Sequence, residues 1–108
     1  MQISPTLSSI GDQLDRFAAE RNWQDFHTPK NLSMALSVEA AELMEIFQWL
    51  PNGDRSELTL EQLEHVQQEV ADVLIYLLML ARRLDFDILK AAQEKININA
   101  QKYPATGN

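Results

Sequence analysis

Apolar residues recur every three or four positions through most of this 108-residue chain, and that spacing is the feature that most constrains its fold. Four segments show the pattern, separated by short breaks that contain Pro, Gly, Asn or Asp. The alternation of apolar and polar residues that is typical of strands is absent from the sequence, as are repeats and low-complexity tracts. We therefore expect an all-α fold that resembles a four-helix bundle, formed by a single domain of residues 1–108.

Capping and stop signals set the expected helix boundaries. Ser4 can cap the first helix with Pro5 at its first helical position, and Thr59 can begin the third with Gln62 completing a capping box. The run Pro51-Asn52-Gly53-Asp54 is a strong stop after the second segment. In chain order, the expected helices comprise residues 4–22, 31–50, 59–84 and, starting between 85 and 87, the segment up to 103.

Composition and charge exclude several classes of protein. A formal net charge of −7 disfavours binding to the phosphate backbone of DNA or RNA. Without cysteine, neither a disulfide nor a thiolate metal site can form. The longest apolar run, residues 73–81, is far shorter than the roughly 20 residues of a membrane-spanning helix. Since the N-terminal segment also lacks the pattern of a secretory leader, we expect a cytoplasmic protein that binds neither a nucleic acid polymer nor a membrane.

The second helix carries a glutamate where it should bury leucine. At about 100° per residue, Glu39 falls in the middle of the apolar stripe and Glu42, three residues later, lies at the edge of that stripe. Burial of an unpaired carboxylate costs on the order of several kcal/mol, so this placement needs a compensating cation. The apolar side chains of the stripe are Leu32, Leu36, Leu43, Ile46, Phe47 and Leu50.

The third helix repeats this pattern with Glu69 and Asp72, which share a second face with Tyr76. Beyond Asp72 the helix is apolar nearly all round, which predicts burial on both sides in the assembled protein. Its main apolar face is formed by Leu63, Val70, Leu74, Leu77, Leu78 and Ala81.

Two acidic pairs on neighbouring helices would place four hard oxygen donors around one cavity, which suits Mg²⁺, with Mn²⁺ as the alternative ion. Redox di-iron chemistry is disfavoured, because neither His27 nor His65 follows a glutamate at the required i+3 spacing. The ordinary alternative is that the acidic pairs lie on solvated helix faces of a non-catalytic module that binds a nucleotide or a partner protein. The candidate ligands are Glu39, Glu42, Glu69 and Asp72.

Four aromatic rings are candidates for stacking on a nucleobase, although aromatic residues are more often part of a core. Trp23 and His27 lie in the break before the second helix, Trp49 closes that helix, and Tyr76 shares the acidic face of the third. His65, one turn before Glu69, is expected to be a surface residue.

Two polar residues lie within or beside the apolar face of the fourth helix. Lys95 would bind a phosphate and Asn99 a substrate oxygen in a functional interpretation. In the structural interpretation, Lys95 extends from an interface edge into solvent and Asn99 is a structural hydrogen bonder. The sequence pattern favours neither interpretation.

Five motifs in the same order resemble the MazG-like all-α nucleotide pyrophosphohydrolases, with the strongest similarity to the dCTP pyrophosphatase branch. The resemblance extends from the first helix to Pro104, and it departs from related enzymes at Asn97 and Ala100, where an acidic residue and an arginine are common. This departure bears on substrate preference. The motifs are FHTPKNL at 26–32, EAAEL at 39–43, FQW at 47–49, EVADVLIY at 69–76, and Lys95, Asn99, Tyr103 and Pro104.

The resemblance implies an enzyme that hydrolyses nucleoside triphosphates, with dCTP or a related deoxynucleotide expected, to monophosphate and pyrophosphate. House-cleaning or control of the nucleotide pool would be its role, and a modified or damaged nucleotide is the alternative substrate. The chemistry would be attack of a metal-activated water on the α-phosphorus.

Roles for individual residues also follow from the resemblance. The four acidic residues Glu39, Glu42, Glu69 and Asp72 would bind Mg²⁺, and Lys95 and Asn99 would contact phosphate or sugar. Tyr76 would pack beside the sugar and phosphates, while Trp23, His27 and Trp49 would surround the base. A homodimer or dimer of dimers is implied, with each active site completed by a neighbouring subunit.

Overall fold

A computed structural model of the protein describes residues 4–106. It contains four α-helices, with one short 3₁₀ turn, Arg55–Glu57, between the second and the third. No strand occurs within residues 4–106, and the expected all-α class is confirmed. No helix in this part of the chain is long and apolar enough to cross a membrane. The helices are α1 (Leu7–Glu20), α2 (Pro29–Phe47), α3 (Leu60–Arg83) and α4 (Ile88–Lys102).

The expected cap of the first helix is wrong, because Thr6 and not Ser4 begins it. The Ser9 amide donates to the Thr6 hydroxyl at 3.0 Å, and the Thr6 amide donates to the Ser9 hydroxyl at 2.9 Å. This reciprocal pair satisfies two amides that a helix start otherwise leaves without partners. Pro5 therefore precedes the N-cap instead of occupying the first helical position.

The second helix also differs from its expected limits of Asn31 and Leu50. It begins at Pro29, since the Thr28 hydroxyl accepts the amide of Asn31 at 3.2 Å and proline suits the first helical position. It ends at Phe47, because the amide of Leu50 donates to the Phe47 carbonyl and closes a tight turn in place of another helical turn.

The starts of α3 and α4 agree with the expected signals. Thr59 and Gln62 form the expected capping box, with amide-to-side-chain distances of 2.9 and 3.1 Å. The Asp87 carboxylate accepts the Lys90 amide at 3.1 Å at the start of α4. Each contact pairs a helix-terminal amide that would otherwise bond only to water.

The helix pair α2–α3 is the main packing unit, and α1 packs against α3. Arg82 of α3 strengthens the second contact, because its guanidinium donates to Asp12 at 2.8 Å and to Asp15 at 2.7 Å. Gly11 makes room for this arginine, since a Cβ at that position would collide with the Arg82 side chain. The buried apolar residues at the centre are Ala18, Leu32, Leu78 and Ala81.

Within one chain the fourth helix does not close the bundle. Every residue from 89 to 106 is exposed, so the three helices α1, α2 and α3 make the packed unit and α4 projects from it. The main apolar face of α3 is also open at Val70, Leu74 and Leu77, while the face that bears Glu69 and Asp72 is directed to α2. Within the described residues, α4 therefore does not pack as the fourth member of a closed four-helix bundle.

Candidate active site

Packing of α2 against α3 brings together three of the acidic residues. A carboxylate oxygen from each of Glu39, Glu69 and Asp72 lies within 4.8 Å of the others. Glu69 is buried, whereas Glu39 and Asp72 are half-buried. We call these three residues the carboxylate cluster.

The cluster holds more negative charge than its own surroundings neutralise. The pKa of Glu39 is raised from 4.5 to about 7, first by burial, then by the close approach of the Glu69 carboxylate, and then by the charges of Glu42 and Asp72. One oxygen of Glu39 and one of Glu69, Oε2 in each case, are buried without a hydrogen-bond partner. Buried polar atoms are usually paired, so these two oxygens mark a place for a ligand.

This donor set fits a divalent cation. Three carboxylates supply hard oxygen ligands, which Mg²⁺ and Mn²⁺ prefer over nitrogen or sulfur. A bound dication would pair with both orphaned oxygens and remove the repulsion that raises the pKa of Glu39. Glu39, Glu69 and Asp72 are the residues that could hold it.

Glu42, the fourth expected ligand, lies at the rim of the cluster. Its side chain is exposed and is not among the three carboxylates whose oxygens converge. Its charge nevertheless raises the pKa values of both Glu39 and Tyr76, which places it close to both side chains. Three of the four expected acidic residues therefore have converging carboxylate oxygens, and the fourth, Glu42, lies next to them.

Tyr76 lies against the carboxylate cluster, as the shared helix face indicates. Burial raises the pKa of the phenol, and the charges of Glu39, Asp72 and Glu42 raise it further. The hydroxyl therefore remains protonated over the neutral range and can donate a hydrogen bond next to the cluster.

An open groove extends from the carboxylate cluster along the end of α2, and we call it the Trp49 groove. It has a volume of about 660 Å³ and shares Glu69 with the cluster. The Trp49 side chain is 87% exposed, so an indole face is accessible to a planar ligand. The groove is lined by Glu42, Glu45, Ile46, Gln48, Trp49, Leu50, Gln62, His65 and Glu69.

The other two aromatic candidates lie elsewhere in the subunit. The rings of Trp23 and His27 meet edge to face, with centroids 5.8 Å apart, and Trp23 meets Phe17 in the same way at 5.5 Å. Arg83 secures this segment by donating to the Gln24 carbonyl at 3.1 Å.

His27 lines a second, larger groove of about 840 Å³ between α1, the end of α3 and the start of α4. Its Nδ1 is buried without a hydrogen-bond partner. Since Trp49 lines a different groove, one subunit does not bring all three expected base-binding rings to one place.

Lys95 and Asn99 are exposed on α4 and line neither groove. A single subunit therefore does not bring these two residues to the carboxylate cluster. The sequence placed them on the correct helix, but the helix projects away from the packed unit.

The sequence placed His65 on the side of Glu69, one turn earlier, and predicted a surface residue, but it did not predict a contact between the two side chains. The His65 side chain is 56% exposed, as expected for a surface residue, yet its Nε2 lies 3.3 Å from Oε1 of Glu69. It also lines the Trp49 groove. The spacing of four residues to Glu69 was the available signal, because such pairs are neighbours on a helix.

Four helices, with one buried and two half-buried carboxylates between α2 and α3, define a small all-α protein with a candidate divalent-cation site. The profile of the MazG-like family matches residues 34–108, from α2 through α4. The chain belongs to the MazG-like family.

Curated relatives and a solved structure agree with this assignment. The chain is 44% identical to human dCTP pyrophosphatase 1 over 103 residues, covering 94% of this chain and 61% of the human protein. It is 42% identical to the rat protein of the same name, covering 93% of this chain and 60% of the relative. The chain thus spans about three fifths of the length of these relatives.

The crystal structure of a pyrophosphatase from Archaeoglobus fulgidus superposes with a TM-score of 0.80 at 38% identity. The match covers 97% of this chain and 98% of the archaeal one. The helix arrangement described here is therefore shared with a solved protein of nearly the same extent.

Proposed function

We propose that this protein is a Mg²⁺-dependent nucleoside triphosphate pyrophosphohydrolase, with Mn²⁺ as an alternative ion. Its substrate class is a deoxynucleoside triphosphate, dCTP or a close relative, and its products are the monophosphate and pyrophosphate. The observation that carries the proposal is the carboxylate cluster, with its two orphaned buried oxygens and the raised pKa of Glu39. The names of the human and rat relatives support the choice of substrate.

Glu39, Glu69 and Asp72 hold the cation in this proposal, and Glu42 completes the acidic set at the rim. When bound, Mg²⁺ supplies positive charge for the triphosphate and makes a coordinated water more acidic. Water attacks the α-phosphorus, and the bond between the α-phosphorus and its bridging oxygen breaks to release pyrophosphate. Tyr76 directs its protonated hydroxyl to a phosphate or sugar oxygen beside the cluster.

The nucleobase of the substrate lies in the Trp49 groove, because this groove begins at Glu69 and ends at an accessible indole. Stacking on such a ring contributes roughly 1–3 kcal/mol in single-strand nucleic acid binders. Trp23 and His27 approach the base from the separate aromatic segment, which a neighbouring subunit brings to the site.

Assembly as a homodimer or dimer of dimers completes the active site. The exposed α4 carries Leu89 and Ile96 on one side, seven residues apart. The open face of α3 carries Val70, Leu74 and Leu77, so each subunit has two apolar surfaces available for burial. In the assembly, Lys95 and Asn99 of one subunit contact phosphate or sugar in the site of another. The single domain of residues 1–108 acts as a cytoplasmic house-cleaning enzyme in this account.

Product analysis with each deoxynucleoside and ribonucleoside triphosphate tests the proposal. With Mg²⁺ we expect monophosphate and pyrophosphate, fastest from dCTP or a related deoxynucleotide, and no product after chelation. Glu69→Gln should lose this activity, whereas Glu64→Gln, an exposed residue of the same helix outside the Trp49 groove, should retain it. Release of inorganic phosphate together with a nucleoside diphosphate would refute attack at the α-phosphorus. Absence of product from every nucleotide would favour a non-catalytic binding module.

A further inference from the structure

Glu69 is the most buried member of the carboxylate cluster, and the partly exposed side chain of His65 contacts it. One Glu69 oxygen, Oε2, is buried and has no hydrogen-bond partner. The other, Oε1, lies 3.3 Å from Nε2 of His65. The two oxygens of one carboxylate therefore face different surroundings, one the interior and the other an imidazole.

His65 combines a fixed backbone with an accessible ring. It lies on α3 one turn before Glu69, within the best-packed helix pair, so its Cα position is set by the fold. Its ring is 56% exposed and lines the Trp49 groove, so it is free to turn until its N–H points along the 3.3 Å line to Oε1 of Glu69.

We propose that His65 is a positioning residue for the divalent cation, a role that rests on the proposed function. Its Nε2–H donates to Oε1 of Glu69 and fixes the plane of that carboxylate, so that Oε2 is presented to the cation together with Glu39 and Asp72. Carboxylates that bind metal ions are commonly oriented by such hydrogen bonds, and loss of an outer partner typically weakens metal affinity about 10- to 100-fold.

This role explains why a histidine lies beside an acidic site without being one of its ligands. The converging oxygens belong to Glu39, Glu69 and Asp72, and no His65 nitrogen is part of that group. The imidazole acts through Glu69 and needs no contact with cation or substrate. A donor that reaches the same oxygen should therefore replace it.

Mn²⁺ binding to the intact metal-free chain, followed by electron paramagnetic resonance at one fixed pH, tests the proposal without measuring turnover. We expect His65→Ala to raise the Mn²⁺ dissociation constant about 10-fold. His65→Gln should restore affinity to within about 3-fold of the unaltered chain, because a glutamine amide can donate to an acidic side chain one turn away. The concentration of Mg²⁺ that gives half-maximal hydrolysis should shift in parallel.

Gln67→Ala is the matched control, since Gln67 is exposed on α3 and lies about 200° around the helix from His65. It should bind Mn²⁺ like the unaltered chain. Thermal unfolding of both alanine variants should match the parent, because alanine is the better helix former.

Two outcomes would overturn the positioning role: an unchanged dissociation constant in His65→Ala, or a His65→Gln variant as weak as His65→Ala. Either result would leave the proposed hydrolysis standing. Failure of the unaltered chain to bind Mn²⁺ would instead overturn both the role of His65 and the metal-dependent function.

Discussion

At the scale of single residues, Glu39 is the carboxylate whose pKa is raised by its surroundings in the described part of the chain. It lies on the packed face of α2, next to Glu69 and within range of two further acidic charges. Replacement by glutamine keeps the size of the side chain and removes its charge. The Glu39→Gln variant therefore separates the function of this carboxylate from its packing.

We expect Glu39→Gln to lower Mg²⁺-dependent turnover at least about 100-fold, because loss of a direct ligand should cost no less than loss of an outer-shell partner. The fold should remain intact, as checked by circular dichroism. Initial rates with a saturating deoxynucleotide measure the effect. Unchanged turnover in this variant would remove Glu39 from the active site.

Glu39 also predicts how pH affects the stability of the metal-free chain. The pKa of Glu39 is about 7 in the folded chain, against its ordinary value of 4.5, so between these pH values the folded state holds a proton that the unfolded state releases. Stability from this group is therefore lost as pH rises from about 4.5 to 7, and it does not return above pH 7.

Thermal unfolding in the presence of a chelator, from about pH 4 to about pH 8, measures this effect, because this range brackets the rise of the Glu39 pKa from 4.5 to about 7. Glu39→Gln should lack this part of the decline. At the upper end of the range it should exceed the parent in free energy of unfolding by on the order of 1 kcal/mol. Parallel curves for parent and variant would show that Glu39 ionises normally.

The residue scale also shows what the sequence could and could not predict. Glu39 could be identified from the sequence because burying a charged carboxylate within a leucine stripe is unfavourable unless a ligand neutralises its charge. The contact of His65 with Glu69 was not identified, because the spacing of four residues permits the contact without requiring it. The position of Glu42 at the rim depends on the angle between α2 and α3, which helical periodicity does not determine.

At the scale of secondary-structure elements, the connection between α2 and α3 determines where Trp49 lies. Gly53 has φ of 81°, and a Cβ there would lie 2.7 Å from the Phe47 ring. Glu57 closes the same turn by accepting the amides of Asn52 at 3.3 Å and Asp54 at 2.7 Å. The turn is thus held by a backbone conformation that favours glycine and by one carboxylate.

Gly53→Ala should destabilise the protein by about 1–2 kcal/mol, since an L-residue pays this cost in the left-handed region and the added methyl meets Phe47. Chemical denaturation measures the change. Ser56→Ala, an exposed position in the same connection, should be nearly neutral. A Gly53→Ala variant as stable as the parent would show that the turn relaxes without cost.

Helix number and type were predictable because caps, periodicity and stop signals agree along the chain. The exact helix ends were less predictable, because the start of α1 and the end of α2 each differ from the expected residue by roughly one helical turn. Ser4 and Thr6 are both good caps, and only the reciprocal bonds between Thr6 and Ser9 decide between them. The end of α2 depends on the tight turn from Phe47 to Leu50, which competes with one further helical turn.

At the scale of the whole molecule, the projecting helix α4 is the feature that a single chain leaves unexplained. Its apolar side chains remain exposed, including Ile96 at 60%. Periodicity predicted apolar faces on α3 and α4 and burial of α3 on both sides, but it could not show that α4 would fail to cover α3 within one chain. The separation of His27 and Trp49 into two different grooves was likewise not predictable from helical periodicity.

Ile96→Asp should dissociate the proposed assembly and lower activity with it, because a charge would be buried in an apolar interface. Light scattering coupled to size-exclusion chromatography measures the mass of the particle. Gln101→Asp introduces the same residue about 140° around α4 from Ile96, outside this apolar face, and should leave the assembly unchanged. An assembly that survives Ile96→Asp would show that this face of α4 is not part of the interface.

Identifying the phosphorus that water attacks is the most direct test of the proposed hydrolysis. Hydrolysis of dCTP in ¹⁸O-labelled water with Mg²⁺, followed by mass spectrometry of both products, shows which phosphorus the water attacks. Attack at the α-phosphorus predicts one ¹⁸O atom in the monophosphate and none in pyrophosphate, with no labelled product after chelation. Label in pyrophosphate or in inorganic phosphate would contradict hydrolysis by this site as described.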